Sequence, residues 1–434
     1  MADPKELLRL MRELDDQLVS CMRCGMCQAV CPVYAETGRE TDVARGKIAL
    51  LEGLARDMVK DAAGVKNRLD KCLLCGSCAA NCPSGVKVLD IFLKARTILA
   101  GYLGLSPVKK AIFQGMLAHP RLFNSILGLA AKFQGIFTKP VNEMLGSSCS
   151  RVLSGAIGNR HFATLADKPL RTLVGALNTP AGKSGLKVAF YPGCLADKIF
   201  PRVGLAVIKV LNHHGVGIYL PEVQACCGIP ALASGDMQTF EDLVAANVAF
   251  YGGADYDVLV TPCATCTSTI KKVWPTMSTG LAPATREKAL AMAEKAMDIN
   301  AFLVDKLGVA PVAPSQERAK GALKITYHDP CHLKKSLGVS TQPRTVLSQN
   351  PDYTLVEMAG CDSCCGCGGS FNLQHYEMSK HIGMVKRDNI AATGASVVAT
   401  GCPACMLQIT DMLSQAGDDI RVKHPVELYA EALP

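Results

Sequence analysis

Two stretches of this 434-residue chain read C-x2-C-x2-C-x3-C-P: Cys21, Cys24, Cys27 and Cys31 before Pro32, then Cys72, Cys75, Cys78 and Cys82 before Pro83. Thiols at every third position oblige the backbone to wrap one face of an inorganic centre, and soft sulfur ligands select iron–sulfur clusters or zinc. Two four-cysteine runs, each with its proline, favour iron and sulfide over zinc. Three cysteines cover one face of a cubane and leave its fourth iron to a ligand from elsewhere. In proteins carrying two such clusters the fourth cysteine of each run crosses to the other cluster. The runs therefore assign Cys21, Cys24, Cys27 and Cys82 to one [4Fe–4S] cubane, and Cys72, Cys75, Cys78 and Cys31 to a second. Such an exchange holds the two clusters close together, as a relay of single electrons requires.

Composition narrows the remaining choices. The 21 cysteines are an odd number, too dense for incidental core thiols and too sparse for a small disulfide scaffold. The opening MADPKELLRLMRELDDQL mixes charge through its apolar positions and lacks a signal-peptide core. With 49% hydrophobic and 19% charged residues, the chain has material for ample cores. No apolar run reaches the roughly 18–20 residues needed to span a bilayer. The nearest, Met116 to Phe137, is broken by His119, Pro120, Arg121, Asn124 and Lys132. The expected location is cytoplasmic, with peripheral attachment to the inner face of a membrane left open.

The expected architecture is α+β and multidomain. Residues 1–96 form an α-helical ferredoxin-like domain with two [4Fe–4S] clusters. Leu7, Leu8, Met11, Leu14 and Leu18 lie at helical spacing, as do Ile48, Leu51, Leu54 and Met58 within Val43 to Val65. Residues 97–185 form a basic helical connector. From Lys94 to Lys187 there are thirteen Lys and Arg against Glu143 and Asp167, a local charge of +11 in a chain whose net charge is +8. Basic residues interleaved with Leu, Ile and Phe suit an anionic membrane surface or an acidic protein; they equally suit a linker whose apolar side packs on neighbouring domains.

The rest of the chain repeats itself. Leu186 to Cys194 (LKVAFYPGC) resembles Leu323 to Cys331 (LKITYHDPC), Cys226-Cys227-Gly228 recurs as Cys364-Cys365-Gly366, and DVLVTPCATC ending at Cys266 recurs as SVVATGCPAC ending at Cys405. Offsets of 137, 138 and 139 residues predict two copies of one α/β fold, over 186–322 and 323–434. In each, strand-like runs alternate with helical patterns such as Val203 to His213 and Thr239 to Tyr251, and the cysteines fall at strand ends, where open α/β sheets place ligands. Each copy offers five thiols: Cys194, Cys226, Cys227, Cys263 and Cys266, then Cys331, Cys364, Cys365, Cys402 and Cys405. Five exceed the needs of a cubane or a tetrahedral zinc and point to an unusual cluster or a thiol-redox site. Cys149, Cys361 and Cys367 lie outside the repeat and are expected to pack. His213-His214 is expected at the surface; His328 and His332, flanking Cys331, fit either a turn or a tuning role beside a cluster. His375 and Lys380 receive no role.

The two cysteine runs followed by two CCG repeats resemble the iron–sulfur subunit of bacterial glycolate oxidase and its relatives of the D-lactate and anaerobic glycerol-3-phosphate dehydrogenases, over nearly the whole chain. The resemblance implies an electron-transfer subunit that takes electrons from an FAD-bearing 2-hydroxyacid dehydrogenase partner and passes them toward membrane quinone or another acceptor. The CCG repeats also look like those of the heterodisulfide reductase catalytic subunit, whose five-cysteine motif binds a noncubane [4Fe–4S] cluster. The intact C-x2-C pairs Cys263/Cys266 and Cys402/Cys405 imply one or two such clusters here, and keep open an alternative in which this chain itself reduces a disulfide. No G-x-G-x-x-G after a strand, no G-x4-G-K-[ST] and no Ser–His–Asp grouping stands out, so hydroxyacid oxidation is expected on another chain. No nucleic-acid partner is expected.

Overall fold

The computed structural model of the protein describes residues 4–151, 159–312 and 321–434. Leu7, Met11, Leu14 and Leu18 are all buried, as their spacing predicts, although the helix breaks into Pro4–Arg12 and Asp15–Leu18. The stretch from Val43 to Val65 is likewise two helices. Ala44–Ala55 buries Ile48, Leu51 and Leu54, but Asp57 turns into the left-handed region (φ 57°) and ends it, so Met58, expected on the same buried face, is exposed. Asp61 then accepts a hydrogen bond from Gly64 N and caps Ala62–Asp70. The long helix Val88–Leu103 buries Ile91, Phe92, Ala95 and Leu99 against this bundle.

The connector was expected to be helical, and the structure differs in part. After the helix Pro120–Phe137 come strands β1 (Thr138–Asn142), β2 (Ser147–Ser150) and β3 (Phe162–Ala163), which make a small antiparallel sheet. These strands carry Ser, Thr, Lys and Pro with no apolar alternation, so sequence periodicity gave no sign of them. The connector's residues 152–158 lie outside the described residues, as do 313–320 near the end of the first repeat.

The first repeat is built on β5 (Lys187–Phe190), β6 (Gly217–Leu220), β7 (Val258–Thr261) and β8 (Ala296–Asp298), with β4 (Leu177–Asn178) added antiparallel at the edge; the order is β4-β6-β5-β7-β8. The second contains β9 (Leu323–His328), β10 (Tyr353–Leu355), β11 (Val397–Thr400) and β12 (Arg421–Lys423), ordered β10-β9-β11-β12 and wholly parallel. Setting β4 aside, the two sheets share one topology, with the first strand flanked by the second and third. Chain direction across the sheet reverses there, and the crevice beyond the strands' carboxyl ends is where such folds bind ligands.

The two repeats face each other about an approximate two-fold axis. Helix Ala264–Ser268, which follows β7, packs on Cys331–Leu337, which follows β9; Gly193–Lys198, which follows β5, packs on Pro403–Ala416, which follows β11. The outer helices reciprocate in the same way, Pro201–His213 against Pro425–Ala432 and Thr341–Leu347 against Ile299–Asp305. Ala264 N donates to Gly401 O (3.1 Å) where the halves meet.

Candidate metal centres

All 21 cysteines are free thiols. The two N-terminal loops share a conformation that their sequences alone disfavour. Arg23 (φ 55°) and Leu74 (φ 53°), each just before the second cysteine of its run, are left-handed, and Gly25 and Gly76 follow with φ 88° and 73°. Left-handed non-glycine residues cost about 1–3 kcal/mol each, and this strain, repeated at the same place in both runs, folds three thiols onto one side of the chain. Short helices Met26–Val30 and Ser77–Ala80 start directly after and carry Cys27 and Cys78.

Cys21, Cys24, Cys27, Cys78 and Cys82 line one small cavity with Ile48, Val86 and Val88. Cys24 lies at its exposed rim with Met22 and Met26, which line the same cavity and are also exposed. Arg45 closes the loop by donating from Nη1 to Arg23 O (3.1 Å). Cys31 lies with Cys72 and Cys75: burial first, and then those two thiols, push it up to about 11. Burial and the neighbouring Cys72, Cys75 and Cys31 raise Cys78 further. The fourth cysteine of each run thus lies beside the other run's three. Two buried cations attend the second group. Lys47 donates to Asp42 O and lies near Cys72 and Cys31; Arg96 donates to Cys72 O (2.8 Å), Leu69 O (2.5 Å) and Ala233 O (2.8 Å), tying this loop to the first repeat. Buried cations close to a set of thiols offset the charge those sulfurs carry once a metal displaces their protons.

All ten cysteines of the two repeats line one shared cavity of about 250 Å³, whose wall also includes Leu73, Leu74 and Cys75 of the second N-terminal loop. The thiols form a chain of side-chain contacts. Cys194 meets Cys226, and Cys227 meets both Cys226 and Cys266. Cys263 bridges to Cys402 of the other repeat; Cys405 lies 3.4 Å from Cys365 Sγ to Sγ, and Cys364 meets Cys331 and Cys75. The contact with Cys364 pulls Cys75 down to about 5.

Gly228 and Gly366 close the CCG turns at φ 94° and 90°. A Cβ there would lie 2.6 Å from Phe240 Cδ2 or 2.5 Å from Ser379 O, so no other residue fits. In the first repeat Asn247 Nδ2 donates to Cys226 O (2.9 Å) and Trp274 Nε1 to Cys227 O (2.9 Å); in the second, Ser379 Oγ donates to Gly366 O (2.8 Å). Adjacent thiols are thereby held as a rigid pair with both sulfurs free for a metal.

Among the other residues singled out from sequence, His332 bonds Thr265 Oγ1 (3.3 Å) and Leu74 O (3.2 Å), bridging both repeats and the second N-terminal loop. His328 is fully buried beside Cys365 and Cys405. His213 is exposed as expected, whereas His214 is half-buried against the Tyr429 hydroxyl (2.9 Å). Cys149 is on β2, and Cys361 precedes the second CCG turn, half-buried. Cys367, expected to pack, instead lines the shared cavity, because the Gly366 turn aims the next residue inward. Its place directly after CCG was the available signal. Cys75, read from sequence only as a cubane ligand, is the other residue whose second contact was missed.

Sets of converging thiols, buried in the repeats and part-buried in the N-terminal loops, with internal cations beside the second loop, fit iron–sulfur clusters. Residues 17–86 match the 4Fe-4S dicluster domain, and residues 188–271 and 325–410 each match the cysteine-rich domain family CCG. Over 453 aligned residues the chain is 30% identical to the probable glycolate oxidase iron-sulfur subunit of Bacillus subtilis, covering 100% of this chain and 99% of that protein. The chain belongs to the glycolate oxidase iron–sulfur subunit family. It is also 29% identical to one subunit of the fumarate reductase (CoM/CoB) of Methanothermobacter marburgensis, over 95% of this chain and 72% of that one. With lactate utilization protein A of an Exiguobacterium species it shares 31% identity over 57% of this chain and 98% of that one. Among the described residues, no helix of this family member is long and apolar enough to cross a membrane.

Proposed function

We propose that this chain is the electron-transfer subunit of a flavoprotein 2-hydroxyacid dehydrogenase, taking electrons from an FAD-bearing partner that oxidises glycolate or D-lactate and passing them singly toward quinone or another acceptor. The observation that carries this reading is the line of thiols from the exposed rim at Cys24, through the paired N-terminal sets, to Cys75 and the shared cavity. Two cubanes belong on Cys21, Cys24, Cys27 and Cys82 and on Cys72, Cys75, Cys78 and Cys31, in a domain over 1–96; the five-thiol sets over 186–322 and 323–434 each suit a noncubane cluster. When bound, such clusters carry one electron at a time, which divides the flavin's pair. The protein's own side chains hold them, exclude water and offset their charge through Lys47 and Arg96. Met22 and Met26 form the apolar rim on which the flavoprotein partner docks, next to the most exposed thiol.

The test mixes the reconstituted chain with the FAD partner and D-lactate or glycolate, anaerobically, and follows cluster bleaching. Bleaching is expected with one of these acids. Clusters that stay oxidised with every hydroxyacid yet react with a low-molecular-weight disulfide would instead establish the second reading, a heterodisulfide reductase-like catalytic subunit. A specific feature supports that alternative: both five-thiol sets, with their closing C-x2-C pairs intact, line one shared cavity.

A peripheral seat on an anionic membrane belongs to the same reading. Helix Pro120–Phe137 turns Phe123, Leu127 and Ala131 toward the protein and leaves Leu122, Leu129, Phe133 and Ile136 exposed on one face, with Arg121 and Lys132 beside them. No Asp or Glu occurs from 91 to 142. Apolar side chains flanked by uncompensated basic ones match the interface of acidic lipid. Co-sedimentation with phosphatidylglycerol vesicles, lost in a Leu129→Glu/Phe133→Glu variant, is the expected result; equal binding by the variant would remove the helix from the proposal.

A further inference from the structure

His328 is the last residue of β9 and has no exposed surface. Its Nδ1 lies 3.1 Å from Cys361 O. A carbonyl can only accept, so this contact puts the proton on Nδ1 and leaves Nε2 with a free lone pair. Nε2 is buried with no oxygen or nitrogen partner among the described residues, and the side chain that the ring meets is the Cys365 thiol. A ring nitrogen of His328 and the sulfurs of Cys365 and Cys405 all lie within 4.8 Å of one another. The two sulfurs are 3.4 Å apart, near the roughly 3.8 Å expected of two thiolates about 2.3 Å from one tetrahedral metal ion.

We propose that His328 Nε2 is an iron ligand of the second repeat's cluster, sharing one iron with Cys365 and Cys405. The proposal rests on the reading that the second five-thiol set binds an iron–sulfur cluster. Imidazole is an accepted donor to such iron, as in centres where two histidines replace two cysteines. The carbonyl on Nδ1 is the kind of outer partner that orients ligating histidines and raises their basicity. The first repeat lacks this ligand: Tyr191 stands at the equivalent position, and its hydroxyl donates to Ala225 O (2.8 Å). The two repeats therefore hold electronically different centres, one ligated by sulfur alone and one by sulfur and nitrogen.

The test is hyperfine spectroscopy on the reduced full-length holoprotein, prepared anaerobically with natural and 15N-labelled histidine. A strong coupling typical of nitrogen bound directly to iron is expected. It should shift with the isotope, persist in Cys194→Ser and His332→Gln, and vanish in His328→Gln while iron and sulfide per chain stay unchanged. A cluster signal from the second repeat that shows no nitrogen coupling, or only the weak coupling of a hydrogen bond to sulfur, overturns the ligand assignment and leaves the cluster reading intact. Absence of any iron beyond the two cubanes overturns both. If His328→Gln fails to load, the isotope shift in the unmodified protein decides by itself.

Discussion

The two CCG repeats have the same strand order and the same five thiols, yet they differ in what surrounds the sulfurs. Where the first repeat has Tyr191-Pro192-Gly193 before its leading cysteine, the second has His328-Asp329-Pro330. Gly193 (φ 76°) admits a close approach, since a Cβ there would lie 3.1 Å from Cys266 Sγ. Asp329 instead anchors its turn by a bidentate pair with Arg344 (3.0 Å at both oxygens). After the CCG turn the first repeat continues with Ile229 and the second with Cys367. Duplication fixed the thiol framework, and divergence worked on the neighbours that set charge, proton position and extra donors. Tyr, Pro and Gly precede the leading cysteine of the first repeat, and a buried histidine and an ion-paired aspartate precede that of the second.

The sharpest way to break this comparison is to disable one repeat at a time. Cys227→Ser and Cys365→Ser are each expected to lose about four irons per chain, leaving the cubane content untouched, by iron and acid-labile sulfide assay. A loss in only one variant would mean that only one repeat is loaded. Next in size is Arg344→Ala. It strands the Asp329 carboxylate, whose side chain has no exposure, and is expected to cost about 3–5 kcal/mol in urea unfolding. The first repeat has no charged pair at the corresponding turn to lose.

The fourth strands offer a comparison in pH. Asp298 ends β8 and His424 follows β12, and each caps the next helix. Burial pushes Asp298 up to about 7, with Oδ2 lacking any hydrogen-bond partner among the described residues; burial pushes His424 down to about 4. The signs are opposite. Asp298 contributes stability that is present below about 3.8 and lost as pH rises toward 7; His424 contributes stability that is present above about 6.5 and lost as pH falls toward 4. Each is worth on the order of 3–4 kcal/mol across its window. Asp298→Asn should therefore steepen the loss of stability in acid, and His424→Gln should flatten it, in unfolding midpoints measured from pH 4 to 7. Identical slopes in both variants would show that the two caps do not titrate as described. Smallest is Tyr191→Phe, which leaves Ala225 O without its donor; a destabilisation of about 1 kcal/mol is expected, with cluster content unchanged.

Much of this molecule was legible from cysteine spacing. Runs at intervals of three specify a local wrap, and a constant offset of 137–139 residues specifies a repeated topology, so both appear in one dimension. The helices Pro201–His213 and Met237–Tyr251 were visible for the same reason, through apolar periodicity. The break at Asp57 and the sheet of β1 to β3 were not, because a left-handed residue and a polar strand carry no periodic signal.

What the sequence determined by itself was the inventory: two four-thiol wraps, two five-thiol sets and a basic span with only two acids. Only the tertiary structure decided which sulfurs meet. The approximate two-fold packing turns the carboxyl ends of both sheets toward one cavity, sets Cys263 against Cys402, and brings Cys75 and Cys367 to the same wall. Local spacing is encoded in neighbouring residues. Contacts across a hundred or more residues exist only once buried helix faces have fixed the elements relative to one another.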